Sequence, residues 1–309
     1  MSRNRPIGGV VAAALLPRDG AGRPMWETFE SSLAFLKARG AAGICVNGAT
    51  GEYAGATAGE RRQAVTLARK VMGDAGLVVS GAGACSLPEA VSRARDAEEE
   101  GADAHLVPGP HFFPYSQEDL REFYLQVAAA VSRPVLIYNL PQFTNGVDKP
   151  LALELIRGEE RIAGIKDSSG RLDILEALTS GGPDDAVRFV GNDSVLAEAL
   201  RNRWATGGIS GVASVLPEVI LALWHSSADT SSEEFAAAER LLDEYIVQLG
   251  PWPTPWGLKL TAECRGLGPA STALPLSAAR RTQAEAFRAW FEPWWAGAAE
   301  LLATVRPEA

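Results

Sequence analysis

Cysteine is scarce in this chain of 309 residues: Cys45, Cys85 and Cys264 are far apart, odd in number and in no C-x-x-C pairing. Neither a disulfide framework nor a thiolate zinc centre is suggested, and a reducing, cytoplasmic compartment fits that usage. Histidine is as sparse, and His105, His111 and His225 show no metal-ligand spacing, so no metal site and no metal cofactor are expected. Positive charge is in deficit, with 29 Lys and Arg against 38 Asp and Glu for a net charge of −9. That balance argues against nucleic acid or an anionic membrane surface as the main partner. No apolar run reaches the roughly 18 residues of a membrane span. Ile7 to Leu16 resembles a signal-peptide core, yet it contains Gly8 and Gly9 and ends at the turn Pro17-Arg18-Asp19-Gly20, so it reads as a strand. Phosphate loops are missing too: Gly48-Ala49-Thr50-Gly51 is followed by no Gly-Lys-Ser/Thr, and Gly81-Ala82-Gly83 lacks the third glycine of a dinucleotide turn.

Apolar residues are plentiful at 47%, enough for a sizeable core. They fall in a regular alternation of short runs and helical patterns. The expected strands are Ile7–Leu16, Gly43–Asn47, Leu77–Gly81, Ala104–Pro108, Pro134–Leu140, Arg161–Asp167, Val187–Gly191 and Gly207–Ala213. Helical periodicity fills each interval, weakly at Leu151–Arg157, and ends with Pro217–His225. Eight such units over residues 1–230 predict an α/β chain with a closed (β/α)8 TIM barrel, in preference to an open doubly wound sheet. Residues 231–309 are helical in pattern and are read as a C-terminal helical extension. Its Trp252, Trp256, Trp290, Trp294 and Trp295 are expected to pack a core or a subunit contact rather than bind a ligand.

The sixth strand, Arg161-Ile162-Ala163-Gly164-Ile165-Lys166-Asp167, ends in a lysine followed by Ser168-Ser169-Gly170. Simple alternation puts Ile162, Gly164 and Lys166 on one face and Ala163, Ile165 and Asp167 on the other. Lys166 then points into the barrel at the strand ends where barrel chemistry sits. A buried lysine is costly unless paired or neutral, and desolvation favours the free amine that Schiff-base chemistry requires. The alternative is an ammonium paired with Asp167 or another acid. Tyr138 shares the inward face of the neighbouring strand with Leu136, and neighbouring strands lie about 4.8 Å apart, so its phenol can reach Lys166. After the second strand, Gly48-Ala49-Thr50-Gly51 can either hold a carboxylate with backbone N–H groups and the Thr50 hydroxyl, or be a plain turn capped by Thr50.

Gly48-Ala49-Thr50-Gly51-Glu52, Tyr138-Asn139-Leu140-Pro141 and Gly164-Ile165-Lys166-Asp167, in this order, resemble the dihydrodipicolinate synthase and N-acetylneuraminate lyase family of class I Schiff-base aldolases. Gly191-Asn192-Asp193 and Gly207-Gly208-Ile209-Ser210-Gly211 resemble that family's seventh and eighth strand ends. The resemblance implies that Lys166 forms an imine with a small-molecule 2-oxo acid such as pyruvate, that Tyr138 shuttles protons, and that Thr50 with the amides around Ala49 and Gly51 holds the carboxylate. Ser168, Asp193 and Ile209 would line the substrate, no cofactor is needed, and a homo-oligomer, tetramer or dimer, is expected.

Three positions depart from the synthase pattern. Ala49 replaces a hydroxyl residue. Phe112, beside His111, replaces the tyrosine of a proton relay shared between subunits. Phe143 replaces an arginine expected to fork onto the carboxylate of aspartate semialdehyde, and sets an apolar ring near the distal end of the substrate. The expected activity is therefore a pyruvate-dependent lyase, aldolase or dehydratase, for 2-oxo acids such as 2-keto-3-deoxy sugar acids; His111 or substrate hydroxyls would replace the relay. Ser194 and Gly211 do not favour sialic acid. The alternatives are 4-hydroxy-tetrahydrodipicolinate synthase activity and a non-catalytic barrel that only binds a 2-oxo acid.

Overall fold

The computed structural model describes residues 7–305. Eight parallel strands, β1 (Gly9–Ala13), β2 (Gly43–Val46), β3 (Leu77–Gly81), β4 (Ala104–Pro108), β5 (Val135–Asn139), β6 (Ile162–Asp167), β7 (Val187–Val190) and β8 (Gly207–Ser210), close into a barrel in sequence order. Closure is made by β1 on β8, with Gly9 opposite Gly207 and Val11 opposite Ile209. Eight helices follow the strands outside: α1 (Trp26–Ala38), α2 (Ala58–Met72), α3 (Leu87–Glu99), α4 (Gln117–Ala130), α5 (Lys149–Gly158), α6 (Asp173–Gly181), α7 (Leu196–Arg201) and α8 (Pro217–Ser226).

Alternation along the strands sorts two cores. Val11, Ala13, Cys45, Leu106, Leu136 and Phe189 fill the barrel, whereas Val10, Ala12, Val135 and Ile137 face the helices. Both faces are buried, which is why the strands read as nearly continuous apolar runs. Helix starts are set by short polar side chains: Thr57 and Glu60 form a reciprocal capping box on α2, and Ser116 and Asp119 do so on α4. Asp148 caps α5, which therefore begins before the Leu151 expected from periodicity alone.

Two local readings are corrected. Val135 pairs with Ile162 but Leu136 with Gly164, so Ala163 is the extra residue of a β-bulge. Ile162 consequently faces the helices with Ile165, and Ala163 turns toward the barrel interior. Gly164 takes φ +154°, and a Cβ there would lie 2.1 Å from the Val187 carbonyl oxygen. The second correction is at the eighth strand, which ends at Ser210, after which Val212–Ser214 turns as a 3-10 helix.

The C-terminal segment adds α9 (Glu233–Leu249), α10 (Trp256–Cys264) and α11 (Ala278–Val305). Tyr245 stacks on Trp294 with ring centroids 5.7 Å apart, its hydroxyl lies 2.6 Å from Thr261 Oγ1, and Trp294 Nε1 donates to Glu244 at 2.8 Å. These contacts knit α9, α10 and α11 together with the polar ends of the aromatic rings satisfied. Among the described residues, no helix is long and apolar enough to cross a membrane.

Candidate active site

β5 and β6 set their residues in register so that Tyr138 lies opposite Lys166. Lys166 Nζ is 3.2 Å from the Tyr138 hydroxyl, and both side chains are buried at the C-terminal end of the barrel. Among the described residues Lys166 forms no ion pair. Asp167 points to the other side of the strand, where its Oδ1 accepts from Ser169 N at 2.8 Å and Asn139 Nδ2 at 3.2 Å. Lys166 thus lies beside a phenol with no carboxylate bonded to it among the described residues, which excludes the Asp167 pairing. Cys45 lies on the same inner face, but burial pushes its thiol up to about 11, against the pull of the Lys166 charge, so it is no thiolate nucleophile.

A cavity of about 300 Å³ opens over Lys166. Tyr138, Ala49, Thr50, Phe143, Ser168 and Asp193 all line it. The turn that carries Ala49 and Thr50 is closed by Gly51 N on Gly48 O at 3.1 Å and Glu52 N on Ala49 O at 3.0 Å. Thr57, and not Thr50, caps the helix that follows. Ser168 Oγ is buried without a hydrogen-bond partner. Asp193 Oδ2 accepts from Val212 N at 3.1 Å. Burial pushes its carboxyl up from the ordinary value, while Ser210, the Val212 and Gly211 amides and the Lys166 charge pull it down.

Other expected site residues are not brought to this cavity. Ile209 is fully buried in the barrel core, and Gly51 packs its backbone toward Ala14 O. His111 stacks edge-on to Tyr53 and lines an adjoining cavity of about 1050 Å³, which shares Ala49, Leu140 and Phe143 with the first. Phe112 is 86% exposed at φ +86° and sits against Phe113. Conversely, sequence reasoning missed Gln142 and a wall from the C-terminal segment. Ile246, Leu249, Trp252 and Leu258 reach the same cavity as Lys166, and only the proline-rich joint at 251–255 marked that this segment turns sharply there.

A buried lysine on β6 opposite a tyrosine on β5 accompanies a sequence match to the dihydrodipicolinate synthetase family over residues 6–292. The chain belongs to that family. It is a Schiff-base lyase of the class I aldolase type. It is 29% identical to the 4-hydroxy-tetrahydrodipicolinate synthase of Alcanivorax borkumensis, covering 82% of this chain and 87% of that one. It is also 28% identical to a DapA-like lyase of Pyrococcus abyssi, over 71% and 74% of the two chains. The Thermotoga maritima dihydrodipicolinate synthase structure shares the fold at a TM-score of 0.87 and 23% identity, covering 94% of this chain and 99% of that one.

Proposed function

We propose that Lys166 attacks the carbonyl of a 2-oxo acid to form a protonated imine, and that the enzyme is a pyruvate-dependent aldolase or dehydratase for neutral-tailed substrates, a class that includes the 2-keto-3-deoxy sugar acids. The observation that carries this reading is the buried Lys166 amine 3.2 Å from the Tyr138 hydroxyl with no carboxylate bonded to it. In cleavage the C3–C4 bond breaks, its electron pair moves into the imine to give an enamine, and the C4 hydroxyl proton passes toward Tyr138. C3 is then reprotonated and water releases pyruvate and the free amine. Thr50 with the amides at Ala49 and Thr50 would hold the carboxylate, since the Gly51 amide is engaged by Gly48 O, and Ser168 and Asp193 would meet the oxygen on C4. His111 stands in the adjoining cavity, where it can serve as an alternative proton path.

The synthase activity named for several relatives is the second reading. The absence of any cation other than Lys166 among the described residues of the cavity over Lys166 weighs against it, and Arg18 and Lys259 of the adjoining cavity are already paired with Glu60 and Glu52. A non-catalytic 2-oxo-acid binder has no use for the lysine and tyrosine pair. We place the enzyme in the cytoplasm, with residues 1–230 as the catalytic barrel and 231–309 as its helical extension. A homo-oligomer, tetramer or dimer, is supported by the exposed aromatics Phe112, Phe113 and Tyr115 on one loop. Sedimentation at micromolar concentration as a single-chain species would contradict that assembly.

The decisive test is borohydride reduction in the presence of pyruvate, followed by mapping of the modified peptide. Labelling at Lys166 is expected, and an unlabelled Lys166 removes the mechanism.

A further inference from the structure

The cavity above Lys166 has two chemically different sides. On the barrel side stand Lys166, Tyr138, Thr50, Ser168 and Asp193, and among the described residues Lys166 and Asp193 are the only charged side chains lining it. The opposite wall is built by Leu140 and Phe143 after β5 and by Ile246, Leu249, Trp252 and Leu258 from the C-terminal segment. Phe143 is 59% exposed, an unusual display for a large apolar ring, and it lines the adjoining cavity of about 1050 Å³ as well. The wall facing the reacting centre is therefore aromatic and aliphatic, whereas the adjoining cavity beyond Phe143 also carries Arg18, Lys259, Ser271 and Thr272.

Polar groups near that wall are partly engaged with the protein. Asn192 Oδ1 accepts from Ser194 N at 3.1 Å and Ser194 Oγ at 2.8 Å, and Gln142 Nε2 donates to Ser168 O at 2.9 Å. Thr254 is the polar exception on the far wall. Ser168 Oγ and Asp193 remain for the single oxygen on C4 that the reaction itself requires. A polyhydroxylated tail laid against this wall would lose water from several hydroxyls without replacing the hydrogen bonds, whereas an apolar tail would be driven there by burial.

Resting on the lyase reading above, we infer that the departing aldehyde carries an aromatic or branched-alkyl group, so that the substrate is a 4-aryl- or 4-alkyl-4-hydroxy-2-oxo acid. Cleavage returns the electron pair of the C3–C4 bond to the imine, sends the C4 hydroxyl proton to Tyr138 and releases the aldehyde. Protonation at C3 and hydrolysis by one water then yield pyruvate, with no oxidant or reductant.

The test measures pyruvate released by the full-length enzyme from 4-hydroxy-2-oxo-4-phenylbutanoate and from 2-keto-3-deoxygluconate. The phenyl compound should have a kcat/KM at least about tenfold higher. Phe143→Asn, at an exposed position, should shrink that ratio by about threefold or more, and Phe143→Leu should restore it. Equal rates, a preference for the polyol, or a ratio unmoved by Phe143→Asn would overturn the inference. Pyruvate and borohydride run in parallel separate the two levels. A labelled Lys166 with no phenyl preference sinks the apolar tail alone, and an unlabelled Lys166 sinks the lyase reading and the tail with it.

Discussion

Gly191, at the exit of β7, gives Lys166 its space: a Cβ built on the glycine would lie 2.6 Å from Lys166 Cε and 2.1 Å from Ser168 Oγ. Both atoms belong to movable side chains, so Gly191→Ala should fold. The lysine would have to leave its position beside Tyr138. The expected outcome is a normal melting transition with kcat reduced by about tenfold or more, because a displacement of this size spoils the attack geometry. A variant as active as the wild type would show that Lys166 acts from another rotamer.

Lys166→Ala and Lys166→Arg should both abolish turnover and borohydride labelling, since a guanidinium stays protonated and is no nucleophile. Tyr138→Phe keeps the ring beside Lys166 and removes only the hydroxyl. Turnover should fall by about 100-fold or more while pyruvate still traps on the lysine. Loss of trapping in Tyr138→Phe would instead make the phenol a requirement for imine formation.

Acid stability should report on Glu98. Burial alone would raise this carboxyl, but His105 Nε2 at 3.0 Å and the Arg133 and Ser132 amides at 2.8 and 2.7 Å hold it down to about 2. A depressed carboxylate contributes stability above its unfolded value of 4.5, and that contribution is lost as pH falls from 4.5 toward about 2. Thermal melts of wild type and Glu98→Gln should differ most at neutral pH and converge across that acid window. A gap independent of pH would assign the effect to packing.

The eight strands were legible because both faces of a barrel strand are buried, which leaves apolar runs bounded by turns. Tyr138 and Lys166 were legible for the same reason: a polar side chain at the exit of such a run has only the strand end to occupy. What strict alternation could not supply was the bulge at Ala163, which depends on the close approach of Gly164 to β7. The resemblance of the eighth strand end implies Ile209 as a site residue, yet its side chain belongs to the inner core. Trp252 was read as packing, and it does pack, but its loop folds back over the strand ends, a contact between distant parts of the chain that no local pattern records.

Lys259 on α10 is buried and pairs with Glu52 in the turn that carries Ala49 and Thr50, and it also donates to Ser271 O at 2.7 Å. The C-terminal segment thereby fixes the turn assigned to the substrate carboxylate. Lys259→Met should destabilise the protein by about 3 kcal/mol, because Glu52 is left in place without its cation. Denaturant unfolding measures that loss. The pyruvate concentration needed for half-maximal trapping should rise in the same variant, and an unchanged value would confine the ion pair to stability.

Phe143 decides the last expectation, the choice between a neutral tail and aspartate semialdehyde. With Lys166 committed to the imine, the described residues of the cavity over Lys166 leave no second cation, and Phe143 offers an apolar ring where a guanidinium would grip the second carboxylate. One missing charge-assisted contact costs on the order of 2 kcal/mol, more than tenfold in discrimination. Cleavage of neutral-tailed hydroxy-oxo acids should therefore exceed condensation of pyruvate with aspartate semialdehyde in kcat/KM. Phe143→Arg should move the balance toward the semialdehyde by raising its kcat/KM, while the rate with a phenyl tail falls. If the wild-type enzyme already prefers aspartate semialdehyde, Phe143 does not set the selectivity, and the synthase activity of the relatives becomes the better reading.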